Sequence, residues 1–278
     1  MQNQANSLKK SQVIAVVSGK GGVGKTLLAT NMAAVFAEIG KRTLLLDTDV
    51  GFTNSDIILG VYPKYSIKDF VNRKCAIEDL ITKTEHGLDL ISLGGDVSDL
   101  LMANDFIIKD FTTHFLKILE NYDIVVMDMP PGFNESYMPF LALVDDFLVI
   151  TTTEPTAVVN TYTMIKLLSL KGISGENIHL VANMVQDVKE ATNLLERFAE
   201  VSERFLNTKV SSMTLIKEHP GVERSVRERV LFVKHYKSIQ PSFSIRRIVS
   251  ILVKEPVVAK DRKGLIERFV KLFRGDRL

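Results

Sequence analysis

The chain has 278 residues, of which 46% are hydrophobic and 24% charged, with a formal net charge of +2. That length suffices for one large domain or two small ones, and the near-neutral balance carries no bulk signature of nucleic-acid binding. A lone cysteine, Cys75, excludes an internal disulfide framework and fits a reducing compartment, and the five scattered histidines lack metal-ligand spacing.

The chain opens on a polar stretch, MQNQANSLKK, that lacks the apolar core of a signal peptide. No run of about 18 apolar residues follows, so a soluble cytoplasmic protein is expected. Short β-branched runs then alternate with amphipathic ones. Strands are predicted at Val13–Ser18, Thr43–Asp47, Leu88–Ser92, Asp123–Asp128, Phe147–Thr152, His179–Asn183 and Ser211–Ile216. Helical patterns lie between them near 24–39, 104–120, 156–170, 187–207 and 221–230, with a further one near 241–253. Near-continuous apolar strands alternating with helices predict an α/β fold, a mostly parallel twisted sheet with helices on both faces. No repeat or low-complexity linker interrupts the chain before about residue 254. Residues 11–253 are therefore expected to form one domain, with 1–10 as a tail, 254–262 as a linker and 263–278 as a C-terminal amphipathic helix.

Between the first strand and the first helix lies Gly19-Lys20-Gly21-Gly22-Val23-Gly24-Lys25-Thr26, which satisfies G-x-x-x-x-G-K-[ST]. A phosphate chain needs donors and positive charge with no side-chain bulk in the way. Glycines let successive backbone N–H groups curl around the phosphates, and the helix N-terminus adds its partial positive charge. Lys25 is expected to reach the terminal phosphates and the Thr26 hydroxyl to ligate Mg²⁺. Gly19-x-Gly21-x-x-Gly24 also fits the dinucleotide fingerprint, with Asp47 where a ribose-binding acid would sit. Charge separates the two readings, because a dinucleotide loop has no use for a lysine–threonine pair at the helix start or a second lysine within the loop. A strand ending in Asp128, within YDIVVMDMPPG, suits a carboxylate that holds Mg²⁺ through water. Asp47 and Asp49, two residues apart at another strand end, can both face the phosphates.

The motif KGGVGKT, with its early Lys20, resembles the deviant Walker A of the MinD/ParA family of P-loop ATPases. The resemblance spans nearly the whole chain: LLLDTDVG resembles the second acidic motif, VVMDMPPG the Walker B segment, and LVANMV the adenine-contacting strand end. It implies a P-loop NTPase fold of the SIMIBI type, ATP hydrolysis, and ATP/ADP and Mg²⁺ as cofactors. The implied nucleotide set is Gly19, Lys20, Gly21, Gly22, Val23, Gly24, Lys25, Thr26, Leu27 and Asn183, with Leu27 where a second threonine is commoner and Asn183 contacting adenine. Thr26, Asp47 and Asp128 would serve the Mg²⁺ shell, Lys25 the phosphates, and Asp49 the attacking water. In that family the early lysine crosses a homodimer interface to the partner's nucleotide, so Lys20 would act in trans. Such a lysine can play an arginine-finger role.

Three stretches resemble the FlhG branch of the family (also called FleN or YlxH), which regulates flagella. They are ITTTEPTAVVNTYTMIKLL, RSVRERVLFVKHYKSIQPSFSIRRIVSIL and NQANSLKK at 3–10. The last is similar to an activator motif that stimulates FlhF, a GTPase of the signal-recognition-particle family, although Asn3 replaces its Asp and Lys9 its Arg. At the other end, Leu265, Ile266, Phe269, Val270 and Phe273 fall on one helical face, with Lys263, Arg268, Lys271 and Arg274 around the rest. Over 260–278 seven basic residues face three acidic ones, a net +4 that leaves −2 for the remainder. A basic amphipathic helix behind a linker is expected to bind an anionic membrane surface through residues 263–274, giving reversible peripheral attachment to the inner face of the cell membrane. With the excess charge assigned to this stretch, nucleic acid is not expected as a partner. MinD-like division-site selection and ParA-like partitioning are the alternative outputs.

Overall fold

The structure, a computed structural model, describes residues 11–49, 54–93, 100, 102–132, 137–207, 209–253 and 271. The tail at 1–10 and nearly all of the expected linker and last helix lie outside the described residues. Within them, β1 (Gln12–Ser18) leads into α1 (Lys25–Glu38) and β2 (Thr43–Asp47). Two short helices follow, α2 (Ser55–Leu59) and α3 (Ile67–Val71), and then β3 (Thr82–Lys83) and β4 (Asp89–Ser92). The chain continues through α4 (Asp105–Leu119), β5 (Ile124–Asp128), α5 (Met138–Leu141), β6 (Asp146–Thr151) and α6 (Pro155–Leu170). It ends with β7 (Ile178–Val185), α7 (Val188–Leu206), β8 (Ser212–Lys217), α8 (Pro220–Glu228), α9 (Phe232–His235) and α10 (Gln240–Leu252).

Eight strands form one sheet in the order β3-β4-β2-β5-β1-β6-β7-β8, and every pairing is parallel except that of β3 with β4. The seven predicted strands are all present, and β3 is the addition. Two residues are too short to show an alternation pattern, so no periodicity could reveal it. Along β1, Val13, Ala15 and Val17 join the apolar cluster on one face while Ile14 and Val16 join the cluster on the other. Both faces are therefore buried, as parallel strands require. The first face is covered by α4, α5, α6 and α7, the second by α1, α9 and α10.

Local chemistry fixes several helix starts. Asp187 accepts from the N–H groups of Lys189 and Glu190 ahead of α7, Asn104 accepts from Ile107 N ahead of α4, and Pro155 sits at the first turn of α6. Because β1 lies between β5 and β6 while β2 lies beyond β5, the strand order reverses at β1. In open α/β sheets ligands bind at the carboxyl ends of the strands at such a point. The register there sets Asp47 opposite Asp128.

The α4 face packs through aromatic rings. Phe115 is fully buried, stacked on Phe111 with centroids 5.0 Å apart and edge-on to Phe140 at 6.1 Å. Phe115→Ala is expected to destabilise the protein by about 3–5 kcal/mol, measured by urea unfolding, because the cavity it leaves is walled by other rings.

Candidate functional site

Residues 19–24 join the end of β1 to the start of α1. Gly24 caps that helix with φ +87°, a left-handed conformation that glycine accepts at little cost. A Cβ there would lie 2.5 Å from the Asn183 amide nitrogen, so the space as well as the backbone demands glycine. At Gly19 a Cβ would meet the backbone carbonyl of Asn160 at 2.4 Å, which presses the loop's first residue against α6. No side chain caps α1 and its first turn holds no acid. Its first N–H groups and the positive end of its dipole are thus left for an anion. Asn183 Nδ2 donates to Val23 O at 2.8 Å, holding the far side of the loop from β7.

Beneath the loop sits a compact set of charges. Lys25 is buried, with its Nζ 3.2 Å from Asp128 Oδ1 and 4.0 Å from Asp49 Oδ2. Asp47 and Asp128 are fully buried on adjacent strands. Burial first, and then the negative charge of Asp128, pushes the Asp47 carboxyl up to about 6, although N–H groups of Asp49 and Ser55 bond it at 3.0 and 3.3 Å. Burial also raises Asp128, while Lys25 and the Thr26 hydroxyl oppose the shift. Thr48 fixes the backbone here, its N–H and hydroxyl both donating to Asp128 O.

One oxygen of this cluster, Asp128 Oδ2, is buried without a hydrogen-bond partner among the described residues. A buried carboxylate oxygen left open, beside a second carboxylate and the Thr26 hydroxyl, suits a hard cation. Among the described residues no group of three or more His, Cys, Asp or Glu forms a metal cage. Mg²⁺ characteristically keeps waters and takes phosphate oxygens beside one or two carboxylates. The predicted Thr26, Asp47 and Asp128 are therefore brought together, with Asp49 and Lys25 alongside. Leu27, together with Thr26, lines an apolar cavity of about 250 Å³ shared with Asn54, Ile57 and Val226.

Lys20 points elsewhere. Its ammonium pairs with Glu154, the residue that precedes α6, rather than with the carboxylates under the loop. Sequence reasoning missed Glu154, whose only signal is its place before Pro155 at a helix start. It also missed Tyr137, a buried residue whose hydroxyl is pushed up to about 12 by burial and then by the charge of Asp49. Nothing in the sequence marks Tyr137.

A family model described as an AAA domain matches residues 11–180. The antiactivator FleN of Pseudomonas aeruginosa is 28% identical over 268 residues, covering 96% of this chain and 95% of that one. The flagellum site-determining protein YlxH of Helicobacter pylori is 28% identical over 244 residues, covering 87% of this chain and 82% of that one. Among solved structures, the septum site-determining protein MinD of Pyrococcus horikoshii, complexed with Mg-ADP, matches with a TM-score of 0.67 at 19% identity. That match covers 87% of this chain and 94% of the other, and it shows the fold.

The buried carboxylates carry a stability cost that can be measured. An ordinary Asp titrates at 3.8 and Asp47 in the fold at about 6, so the folded state holds the proton more tightly than the unfolded one. Its ionisation above pH 6 therefore opposes folding, by roughly 3 kcal/mol at most. Asp47→Asn is expected to stabilise the nucleotide-free protein by up to that amount at pH 7. The gain should shrink as pH falls below about 6 and vanish below about 3, where both states carry the proton. Urea unfolding of the two proteins across this range checks it; a gain independent of pH would contradict it.

Proposed function

The chain belongs to the MinD/ParA family of P-loop ATPases, on its FlhG branch (FleN, YlxH), and from that premise we propose that it is a slow, magnesium-dependent ATPase switch that dimerises on ATP. The observation that carries the reading is the division of labour between two lysines. Lys25 is held inside the carboxylate cluster, whereas Lys20 is turned out of the loop toward Glu154. A lysine so placed is available to a second copy of the chain.

In this reading the loop N–H groups and the α1 terminus seat the phosphates, and Lys25 moves from Asp128 onto the terminal ones. Mg²⁺, when bound, would neutralise phosphate charge. Thr26, Asp47 and Asp128 orient its shell, and Asp49 positions the attacking water. Asn183 already fixes the loop and would also meet adenine. Lys20 of one subunit completes the charge balance in the other, so turnover requires the dimer.

Attachment to the membrane surface and a role in flagellar number or placement complete the proposal. FleN, an antiactivator, and YlxH, a flagellum site-determining protein, support the second. Residues 3–10 would engage an FlhF-like GTPase and residues 263–274 an anionic leaflet. Among the described residues no helix is long and apolar enough to cross a membrane. Each basic residue near such a leaflet contributes about 1 kcal/mol, which makes a single short helix a marginal anchor. Two anchors on one dimer raise apparent affinity roughly 10²–10⁴-fold, so ATP would control attachment through dimerisation.

Variants separate these roles. Lys25→Ala should lose productive ATP binding. Lys20→Ala should retain much of its ATP binding, with turnover down at least about 10²-fold in a phosphate-release assay. Asp49→Ala should bind ATP and persist as a vesicle-bound dimer; hydrolysis at the normal rate would refute its role. In vesicle sedimentation of the wild type, equal pelleting with ATP and ADP would end the proposed coupling.

A further inference from the structure

The near-neutral charge of the fold conceals a local excess. Residues 217–247 hold eight basic residues against three acidic ones, Glu218, Glu223 and Glu228, for a net +5. The expectation that positive charge is concentrated in 260–278 is therefore corrected: a second basic segment lies within the fold. On α8, Arg224 and Arg227 are exposed, and on α10 Arg247 is exposed, with Lys237 exposed in the turn before it.

The α10 helix is unusual on its outer side. Its inner face buries Ile245, Ile248, Val249 and Leu252 in the same apolar cluster as α1. Its outer face carries Phe243, Arg247 and Ile251 at four-residue spacing, and Phe243 is 59% and Ile251 38% exposed. Residues so spaced share one side of a helix. A surface helix is expected to turn polar residues to water, yet this stripe offers a phenyl ring and an isoleucine around a guanidinium. Arg246 donates to Glu38 at 2.8 Å, so the end of α1 lies beside it, where Ile39 is also exposed. Beyond Leu252 the chain runs directly into the basic 254–278 segment.

We propose that the outer face of α10 is a lipid-contact surface of the fold itself, laid against an anionic membrane beside the C-terminal segment. The proposal rests on the membrane reading above and extends it from one terminal stretch to a face of the domain. Arginine and lysine suit the headgroup layer while Phe243 and Ile251 reach the acyl boundary, the composition of an interfacial helix. A nucleic-acid backbone would use the cations but has no use for the exposed apolar pair between them. Position agrees as well. α10 runs back from the carboxyl end of β8, where Gln240 Oε1 accepts from Lys217 N, to the start of β1, where Leu252 O accepts from Gln12 Nε2, so Ile251 lies toward the end of the sheet opposite the loop.

The test compares the full chain with its Phe243→Ser, Arg247→Glu variant in sedimentation with phosphatidylglycerol–phosphatidylcholine vesicles, in the presence of ATP and Mg²⁺. Both positions are exposed, so the fold and ATP turnover in solution should be unchanged. Partitioning of the variant is expected to weaken at least about tenfold. Deleting 254–278 reports separately on the anchor. If that deletion releases the protein while the double variant partitions like the wild type, the surface proposal falls and the membrane reading stands. If the wild type ignores anionic vesicles, both fall. A double variant that loses only salt-sensitive binding to DNA, with vesicle binding intact, overturns the proposal in favour of nucleic acid.

Discussion

Two carboxylates facing each other in the middle of a buried parallel sheet are the constraint on which the rest of this protein depends. Asp47 and Asp128 end adjacent strands in register, both fully buried, and one ammonium, Lys25, lies within reach of Asp128. Charge of this density is poorly compensated by the protein alone. Burial drives both carboxyls toward their protonated forms, and one oxygen of Asp128 has no hydrogen-bond partner among the described residues. A divalent cation would supply the missing positive charge and the missing contacts. The site is thus built at a cost in stability that a bound ligand would relieve, the usual relation between a functional centre and its scaffold.

The loop above these carboxylates is held from three directions. Gly24 is packed against Asn183 from β7, Gly19 against the backbone of α6, and Lys20 is paired with Glu154 at the start of that same helix. Its conformation is therefore tied to α6, and so is the direction in which Lys20 is offered. Of two lysines within six residues, the one at the helix start is committed to the interior and the one in the loop faces outward. The proposed switch, which needs a partner, rests on that division. The same logic reaches the flank of the molecule, where α10 leads toward the C-terminal basic segment while exposing its own apolar and cationic stripe.

Much of this was legible before the fold was known. Gly19 to Thr26 form a local motif whose chemistry is written in consecutive residues, and Asp128 closes an apolar run that can only be a buried strand. The sheet and its two helical layers follow from the alternation of such runs. What was hidden depends on distance in the chain. The Asp47–Asp128 pairing requires knowing that β5 inserts between β1 and β2, which no local pattern encodes. Glu154 is an unremarkable acid before a proline until the fold carries it to Lys20, 134 positions away. Averaging concealed the charge of 217–247, because a net figure for the fold sums over segments that the structure keeps apart. The edge strand Thr82–Lys83 was simply too short for periodicity to register.

The central claim is that Lys20 of one subunit completes the catalytic centre of another, and a mixing experiment tests it most directly. Lys20→Ala and Asp49→Ala proteins are each expected to hydrolyse ATP negligibly. In a mixed dimer, however, the first variant's intact Asp49 site receives the second variant's Lys20. With equal amounts, half of the dimers are mixed and one of their two sites is whole, so turnover should return to about a quarter of the wild-type rate. If both variants bind ATP and the mixture stays as inactive as its components, the lysine does not act across subunits and the account fails at its foundation.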